Sequence, residues 1–411
     1  MSDTENSPHL PIEDFREYGY QLVDWLAEYF TNIESQRILP DISPGDIRAM
    51  LPDVAPEQAE DMGDIINDLD RVVMPGMAHW QHPGWFAFFP SGVSPVSVLG
   101  EFVAAGLATQ GMMWSTAPSP TEIENTVLDW LVDLLGLPST WRIDTGPGGG
   151  VLQMSASDST HLSLAIARHH AVEAGHATDS LVAYGSEQAH SSIEKGARIA
   201  GYRHIRSIRV DESFALDVNA LEDQVEADLA SGLVPTWVCS AVGTTSTTAM
   251  DPIRPIAAIA KDHGMWHHAD AAYAGSAMIC PEFRNLQDGV ELVDSYTFNP
   301  HKWLLTNFDC SAHFVKDPDA LIRTLSILPE YLKSREQEKI IDYRDWSVPL
   351  GRRFRALKLW FVIRSYGIKG LQEIIRSHIK MAQQAEAWID AVCAAAAAFA
   401  AVMRSSVRER S

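Results

Sequence analysis

Strands alternating with helices from about residue 150 to residue 315 predict an α/β chain built on a mostly parallel sheet. Three stretches carry that expectation. Gly146-Pro-Gly-Gly-Gly150 leads into the apolar strand Val151-Leu-Gln-Met154, and Ser155-Ala-Ser157 then opens a helix over 158–169. Leu181–Tyr184 and Thr236–Val242 are apolar runs too short for helices, each followed by polar turn residues. The helical run from Ile256 stops at Gly264, a good helix terminator, and Met265-Trp266 begins a strand ending near Asp270.

Ahead of this core the chain reads as helical. Phe15, Tyr18, Leu22, Trp25, Leu26 and Tyr29 recur at helical spacing between Asp14 and Tyr29. Pro40 and Pro44 end that segment, Asp46–Leu51 makes a short helix, and 61–73 makes a third, closed by Pro75-Gly76. Three such helices have little room for a core of their own, so their apolar faces must be buried on something else. His79–Ser91 packs five aromatics between Pro and Gly residues, which deny it regular structure and favour a rigid pocket wall. It contains no Arg or Lys, which disfavours an acidic substrate. A Pro- and Ser-rich turn from Trp114 leads to a helix over 122–135.

Composition narrows the function classes. The 54 acidic residues against 32 basic ones give a formal charge of −22, which argues against nucleic acid or anionic membrane as partner. The N-terminus lacks the regions of a signal peptide, and the longest apolar run, Ala391–Met403, is too short for a span. Cys239, Cys280, Cys310 and Cys393 show no paired spacing and read as reduced core thiols. A cytoplasmic protein is expected.

The chemistry is expected in two places. Asp294–Phe298 alternates like a short strand, then breaks at Asn299-Pro300 and presents His301 and Lys302 beside the apolar Trp303-Leu304-Leu305. A lysine at a strand end most commonly reaches solvent. Held against apolar surface, its amine loses hydration, its pKa falls, and it becomes a Schiff-base nucleophile. Asp270, at the carboxyl end of a strand, lies where open α/β sheets bind ligands. An Asp and a Lys converging on one crevice are what pyridoxal phosphate requires: an amine for the aldehyde and a carboxylate for the pyridine nitrogen. The strand, Ser-x-Ser and helix at 151–169 form a moderately specific phosphate seat, with the free N–H groups and dipole of the helix start. A metal site is the competing idea, from His267-His268-x-Asp270 and His79-x-x-His82. On a strand, however, His267 and His268 point to opposite faces.

The runs DAAYAGSA, FNPHKWLLTNFDCSA and PLGRRFRALKLWFV resemble the group II pyridoxal-phosphate decarboxylases, nearest to the aromatic-L-amino-acid (tyrosine, tryptophan and DOPA) decarboxylases. The resemblance runs from about Asp14 to about Ala385. It implies an aspartate-aminotransferase-like (fold type I) large domain, and decarboxylation of an aromatic amino acid to an arylalkylamine. Lys302 is then the covalent anchor, Asp270 the partner of the pyridine nitrogen and His190 the ring that stacks on the cofactor. Ala156, Ser157, Thr245, Ala272, Asn299 and His301 complete the cofactor contacts. Trp80, Phe86, Phe89 and Pro90 face an aromatic ring, with Ser91 available to a ring hydroxyl. Tyr331, in the charged stretch 329–339, belongs to a mobile loop and protonates Cα after carbon dioxide leaves.

By the same resemblance the N-terminal segment, 1–85, lies across a partner subunit, so a homodimer is expected. The large domain is expected over 86–375. Met154 and Asp158 stand where relatives usually have Gly and Glu, beside the phosphate seat. From about Ala385 the chain departs from the pattern. An Ala-rich segment and a basic end at 376–411 replace a small domain with its own strands, an incomplete C-terminal domain. Aldehyde synthesis, decarboxylation of a non-aromatic amino acid and an inactive remnant are the alternatives to be weighed.

Overall fold

The computed structural model describes residues 9–89, 91–326 and 340–408. The chain separates into two compact units, Met1–Ser91 and Gly92–Ser411.

The first unit holds helices α1 (Ile12–Thr31), α2 (Asp46–Met50) and α3 (Met62–Asp68). Asp61 caps α3 by accepting from the Gly63 N–H, and the helix continues through a π turn at Leu69–Val73. The expected helix over 61–73 is thus one path with changing pitch. No residue of α1 is fully buried within this chain. Tyr18, Leu22, Trp25, Leu26 and Tyr29 are half-buried and Phe15 is exposed. Polar tips fix the stripe: Trp25 Nε1 donates to Asp70 at 3.0 Å, and the Tyr29 hydroxyl lies 3.0 Å from His79 Nδ1.

The second unit begins with α4 (Pro95–Leu107) and α5 (Pro118–Leu135), both started by a proline in the first turn. Its sheet has seven strands: β1 (Gly149–Gln153), β2 (Leu181–Ser186), β3 (His204–Ile208), β4 (Val234–Ala241), β5 (Trp266–Asp270), β6 (Ser295–Phe298) and β7 (Ser311–Val315). Their order across the sheet is β1-β7-β6-β5-β4-β2-β3. The β3, β2, β4, β5 and β6 strands run parallel, and β7 is antiparallel to both β6 and β1. The sheet is therefore the expected mostly parallel one, with a single reversed strand. Helices α6 (Ala156–Glu173), α7 (Ser192–Ile199), α8 (Val218–Ala230) and α9 (Ile253–Asp262) form the crossovers. The short α10 (Pro300–Trp303) and α11 (Pro318–Leu325) flank β7.

Every residue of β1, β2, β5, β6 and β7 is buried, as strands covered on both faces must be. One apolar core joins α5, α6 and the sheet (Leu128, Leu131, Val151, Leu162, Trp237, Phe298 and Phe314 among others). A second packs Val182, Tyr184, Val238 and Ile256 on the opposite face.

The chain finishes in α12 (Arg355–Arg408), bent at Gly367, whose φ of 63° and ψ of 168° lie outside helical values. Its first part packs in the core through Leu359, Val362 and Leu371. Farther along, Met381, Trp388, Ile389 and Val392 are exposed. Residues 376–408 are helical where relatives were expected to carry strands. Cys239, Cys280 and Cys310 are buried thiols, but Cys393 is exposed, correcting its expected place in a core. It sits on the part of α12 that has left the core. No helix among the described residues is long and apolar enough to cross a membrane.

Candidate active site

The carboxyl ends of the parallel strands gather the proposed residues. Asp270 is the last residue of β5. Its Oδ1 accepts from the Ala272 N–H at 2.9 Å, so the turn after the strand fixes the carboxylate and buries Ala272 beside it. Gly275 lets this turn close onto β6: a Cβ there would lie 2.5 Å from Phe298 Cβ.

Lys302 follows β6 but not as a strand end. Pro300 starts the one-turn helix α10, and Lys302 sits in it with its N–H bonded to the Asn299 carbonyl at 3.0 Å. Burial draws the Lys302 amine below the ordinary lysine value, and the charge of Asp270 pulls it part of the way back. His190, in the turn before α7, answers to the same two groups. Burial lowers its pKa, Asp270 raises it and Lys302 lowers it. His190 thus registers the charges of both Asp270 and Lys302, and Lys302 that of Asp270, which places lysine and imidazole beside the aspartate at the end of β5.

Hydrogen bonds fix the imidazole states. His190 Nδ1 accepts from the Ser192 N–H at 3.1 Å, so the neutral ring carries its proton on Nε2. His301 Nδ1 likewise accepts from the Cys310 N–H at 2.8 Å, leaving Nε2–H as a donor. Burial, followed by the Lys302 charge, pushes His301 down to about 4, so it stays neutral near pH 7. Asn299 is buried and its Oδ1 has no partner. A buried amide oxygen left unpaired costs about 1–3 kcal/mol.

The strand, Ser155–Ser157 and helix follow in the expected order. Ser155 precedes α6, and Asp158 turns back to accept from the Ser155 N–H at 2.9 Å and its hydroxyl at 3.0 Å. Ala156 and Ser157 are the first two helical residues, where N–H groups have no intrahelical partner. Ser157 and Met154 are exposed, as is Thr245 on the turn after β4.

The aromatic stretch belongs to the first unit. Trp80 stacks with Trp85 at 5.0 Å and with Phe88 at 5.6 Å. Phe86 is 94% exposed, while Phe89 and Ser91 are half-buried. Pro90 and Tyr331, with the whole stretch 327–339, lie outside the described residues.

Sequence reasoning missed the ionic frame around the site. Arg352 donates to Glu124 at 2.5 Å, to the Leu152 carbonyl at 2.8 Å and to the Gly111 carbonyl at 3.0 Å, while Glu124 accepts from the Leu152 N–H at 2.8 Å. That pair holds the end of β1, three residues before the phosphate seat. Arg355 grips Asp309 with two bonds, 3.2 and 3.1 Å, and Lys358 Nζ lies 2.7 Å from Glu101. Lys358 is fully buried, and burial pushes its pKa down to about 8. The Ser94 hydroxyl donates to the Leu305 carbonyl at 2.7 Å, and the Gly92 N–H to the His301 carbonyl at 2.6 Å. Loop 304–310, and through it His301 and Lys302, is thereby tied to α4 and α12. The signal was present in the cation-rich run Gly351–Lys358, since cations in an otherwise apolar helix start must find acids.

The family model for the pyridoxal-dependent decarboxylase conserved domain matches residues 44–400. The chain belongs to that family. This decarboxylase chain is 45% identical over 382 residues to a phenylacetaldehyde synthase of Arabidopsis thaliana, covering 91% of this chain and 78% of that protein. It is 45% identical over 389 residues to an aromatic-L-amino-acid decarboxylase of Cavia porcellus, covering 92% and 81%. Among solved structures, the Catharanthus roseus tryptophan decarboxylase in complex with L-tryptophan superposes with a TM-score of 0.89 at 42% identity, covering 93% of this chain and 81% of that one. An Oryza sativa tryptophan decarboxylase with pyridoxal phosphate and tryptamine gives 0.88 at 40% identity, covering 92% and 79%.

The cofactor of the family is pyridoxal phosphate, and the residues present fit it. The decarboxylase chain offers a half-buried amine of lowered pKa, a carboxylate that acts on its charge, a neutral imidazole, an open helix start and an unpartnered buried Asn299 oxygen.

Proposed function

We propose that this chain decarboxylates an aromatic L-amino acid to the corresponding arylalkylamine and carbon dioxide, as a pyridoxal-phosphate-dependent carboxy-lyase. The observation that carries the reading is the shared crevice of Lys302, Asp270 and His190 at the carboxyl edge of the sheet. When bound, pyridoxal phosphate supplies the electron-accepting ring that takes up the bonding pair of the Cα–carboxylate bond.

The chain's own groups do the rest. Lys302 would be the covalent anchor, and burial, by drawing its pKa below the ordinary lysine value, favours the nucleophilic neutral amine. Asp270 would hold a proton on the ring nitrogen, its carboxylate kept in place by the Ala272 N–H. His190 would hold the ring as a neutral imidazole. The α6 start at Ala156 and Ser157, with Asn299 and the Nε2–H of His301, would hold the phosphate, and Thr245 would contact the cofactor. Trp80, Phe86, Phe89, Pro90 and Ser91 would receive the aromatic side chain. Tyr331 delivers the proton that ends at Cα.

The division into an N-terminal segment 1–85, a large domain 86–375 and a C-terminal segment 376–411 belongs to this proposal, as do a cytoplasmic location and a homodimer. In its favour for the dimer are the half-buried stripe of α1 and the exposed Leu99, Phe102, Val103 and Leu107 of α4. Release of an aldehyde in place of the amine is a second reading, favoured by the similarity to the Arabidopsis phenylacetaldehyde synthase.

The test is mass-spectrometric product identification after incubation of the holoenzyme with tyrosine, dihydroxyphenylalanine, tryptophan, 5-hydroxytryptophan and phenylalanine. Amines support the decarboxylase and rank its substrates. Aldehydes keep the cofactor chemistry but remove the role given to Tyr331, and absence of any product overturns the reading.

A further inference from the structure

A cleft of about 1210 Å³ opens at the amino ends of β4, β5 and β6, the edge of the sheet opposite Asp270 and Lys302. It is larger than the roughly 300–1,000 Å³ common for small-molecule sites. Trp266 and His170 make its aromatic wall, set edge to face with ring centroids 5.7 Å apart. Short alanine side chains of α6 and α9 leave room beside them.

Two imidazoles, the buried His267 and the half-buried His170, line the cleft with a nitrogen unused. His267 is 1% exposed; its Nε2 lies 2.6 Å from the Ser240 hydroxyl, and its Nδ1 has no partner. The Nε2 of His170 also has none. In the tautomer whose Nε2–H donates to Ser240, His267 Nδ1 presents a bare lone pair. Asp294 adjoins it, with Oδ2 accepting from the His267 N–H at 2.9 Å. Buried polar atoms without partners are rare in folded proteins, and each asks for a ligand or a water.

The charges at the cleft are balanced. Arg254 and Glu291 pair with each other at 2.8 Å, and Arg254 is further bound by Asp288. Asp317 is engaged by Arg323 at 3.8 Å and by the N–H groups at the start of α11, which leaves Lys261 and Lys316 as cations and Asp294 as the acid. A simple anion or a simple cation would find one sign among these groups repulsive. A molecule carrying both signs beside a flat apolar ring matches the cleft.

We propose that this cleft is a second binding site for a zwitterionic aromatic amino acid, with its ring against Trp266, its ammonium at Asp294 and His267 Nδ1, and its carboxylate at Lys316 and Lys261. The choice of an aromatic amino acid rests on the function proposed above. Trp266 and His267 begin the strand that ends at Asp270, so the two sites share β5.

The experiment uses holoenzyme reduced with borohydride, which fixes the cofactor on Lys302 and stops turnover. Equilibrium dialysis with L-tryptophan should show binding that weakens at least tenfold in Asp294→Asn and at least threefold in Lys261→Met. Asp294 is partly buried, so its variant is checked by thermal melting. If it does not fold, Lys261→Met, altered at an exposed position, decides. L-alanine should bind at least tenfold more weakly than L-tryptophan. Isotherms unchanged in the folded variants, no binding by the parent, or equal binding of L-alanine would each overturn the proposal. Amine formation by the unreduced parent is measured separately, so failure of the decarboxylase reading is distinguishable from failure of the second site.

Discussion

Replacing Glu124 by Ala should unsettle the phosphate seat without touching a residue proposed to contact the cofactor. Glu124 and Arg352 are both almost wholly buried, 4% and 3% exposed. The carboxylate takes one bond from the guanidinium and one from the Leu152 N–H, and Arg352 also lies over the Tyr343 ring at 4.5 Å. Removing one partner of a buried pair leaves an uncompensated charge, at a cost of about 3–5 kcal/mol. At roughly 2–4 °C per kcal/mol for a unit of this size, the melting temperature should fall by roughly 6–20 °C. Because Leu152 loses its anchor at the end of β1, cofactor retention during gel filtration should fall as well. The control is the double variant Glu124→Leu, Arg352→Met, which removes the stranded charge and should recover about half of the lost stability, the remainder reflecting the carbonyls of Gly111 and Leu152 left without a donor. Differential scanning calorimetry on the parent and both variants checks this. A single variant melting within about 2 °C of the parent, or a double variant no better than the single, would refute the reasoning.

Lys302→Ala should abolish turnover; substantial steady-state amine production would remove that lysine from its role. Tyr331→Phe should replace amine by aldehyde or stop the reaction, and unchanged amine output by mass spectrometry would exclude Tyr331 from proton delivery. Asp251 gives a pH prediction. Burial raises its carboxyl to about 6, although it accepts from the Leu216 and Ala241 N–H groups. Its folded-state pKa lies above its unfolded one, so the folded protein binds that proton first. Its contribution therefore grows as pH falls from 7 to 5, by about 1 kcal/mol. Urea titrations of parent and Asp251→Asn at the two pH values measure the difference, and an identical pH dependence in both would contradict the assignment.

What could be read in the sequence divides along physical lines. Asp270 and Lys302 were legible because their local context is dictated by chain geometry: a glycine-terminated helix feeding a strand, and a proline breaking the next one. The start of α6 was legible for the same reason, since a helix start advertises itself through its cap. Boundaries were less so. Helix α5 begins at Pro118, four residues before the periodic run, because Pro fits the first turn and the apolar pattern does not register it. Lys302 proved to lie in a helical turn rather than at the tip of a strand, which changes its reach but not its neighbours. The ionic frame was illegible because Glu124 and Arg352, or Asp309 and Arg355, meet only once the sheet has formed. Nothing local in Glu124 distinguishes it from the exposed acids that dominate a chain of charge −22.

The same limit explains the amino-edge cleft. His267 was weighed only as a metal ligand and set aside because its neighbour His268 faces the other way. The structure keeps that opposition: His267 Nε2 meets Ser240 of β4, whereas His268 Nδ1 lies 2.8 Å from Ser295 of β6 and its ring stacks on Trp237. The alternation that rules out a shared ion also gives each imidazole an environment of its own. Both are held neutral by burial, His267 down at about 3. A buried neutral imidazole keeps one donor and one acceptor, and only one of the two is used in each ring. The His268 ring is wholly buried beside His313, 5.9 Å away between ring centroids. For His267 the unused nitrogen belongs to a residue that lines open space. That difference in surroundings makes a ligand site of one and a core residue of the other, and strand periodicity alone could not have told them apart.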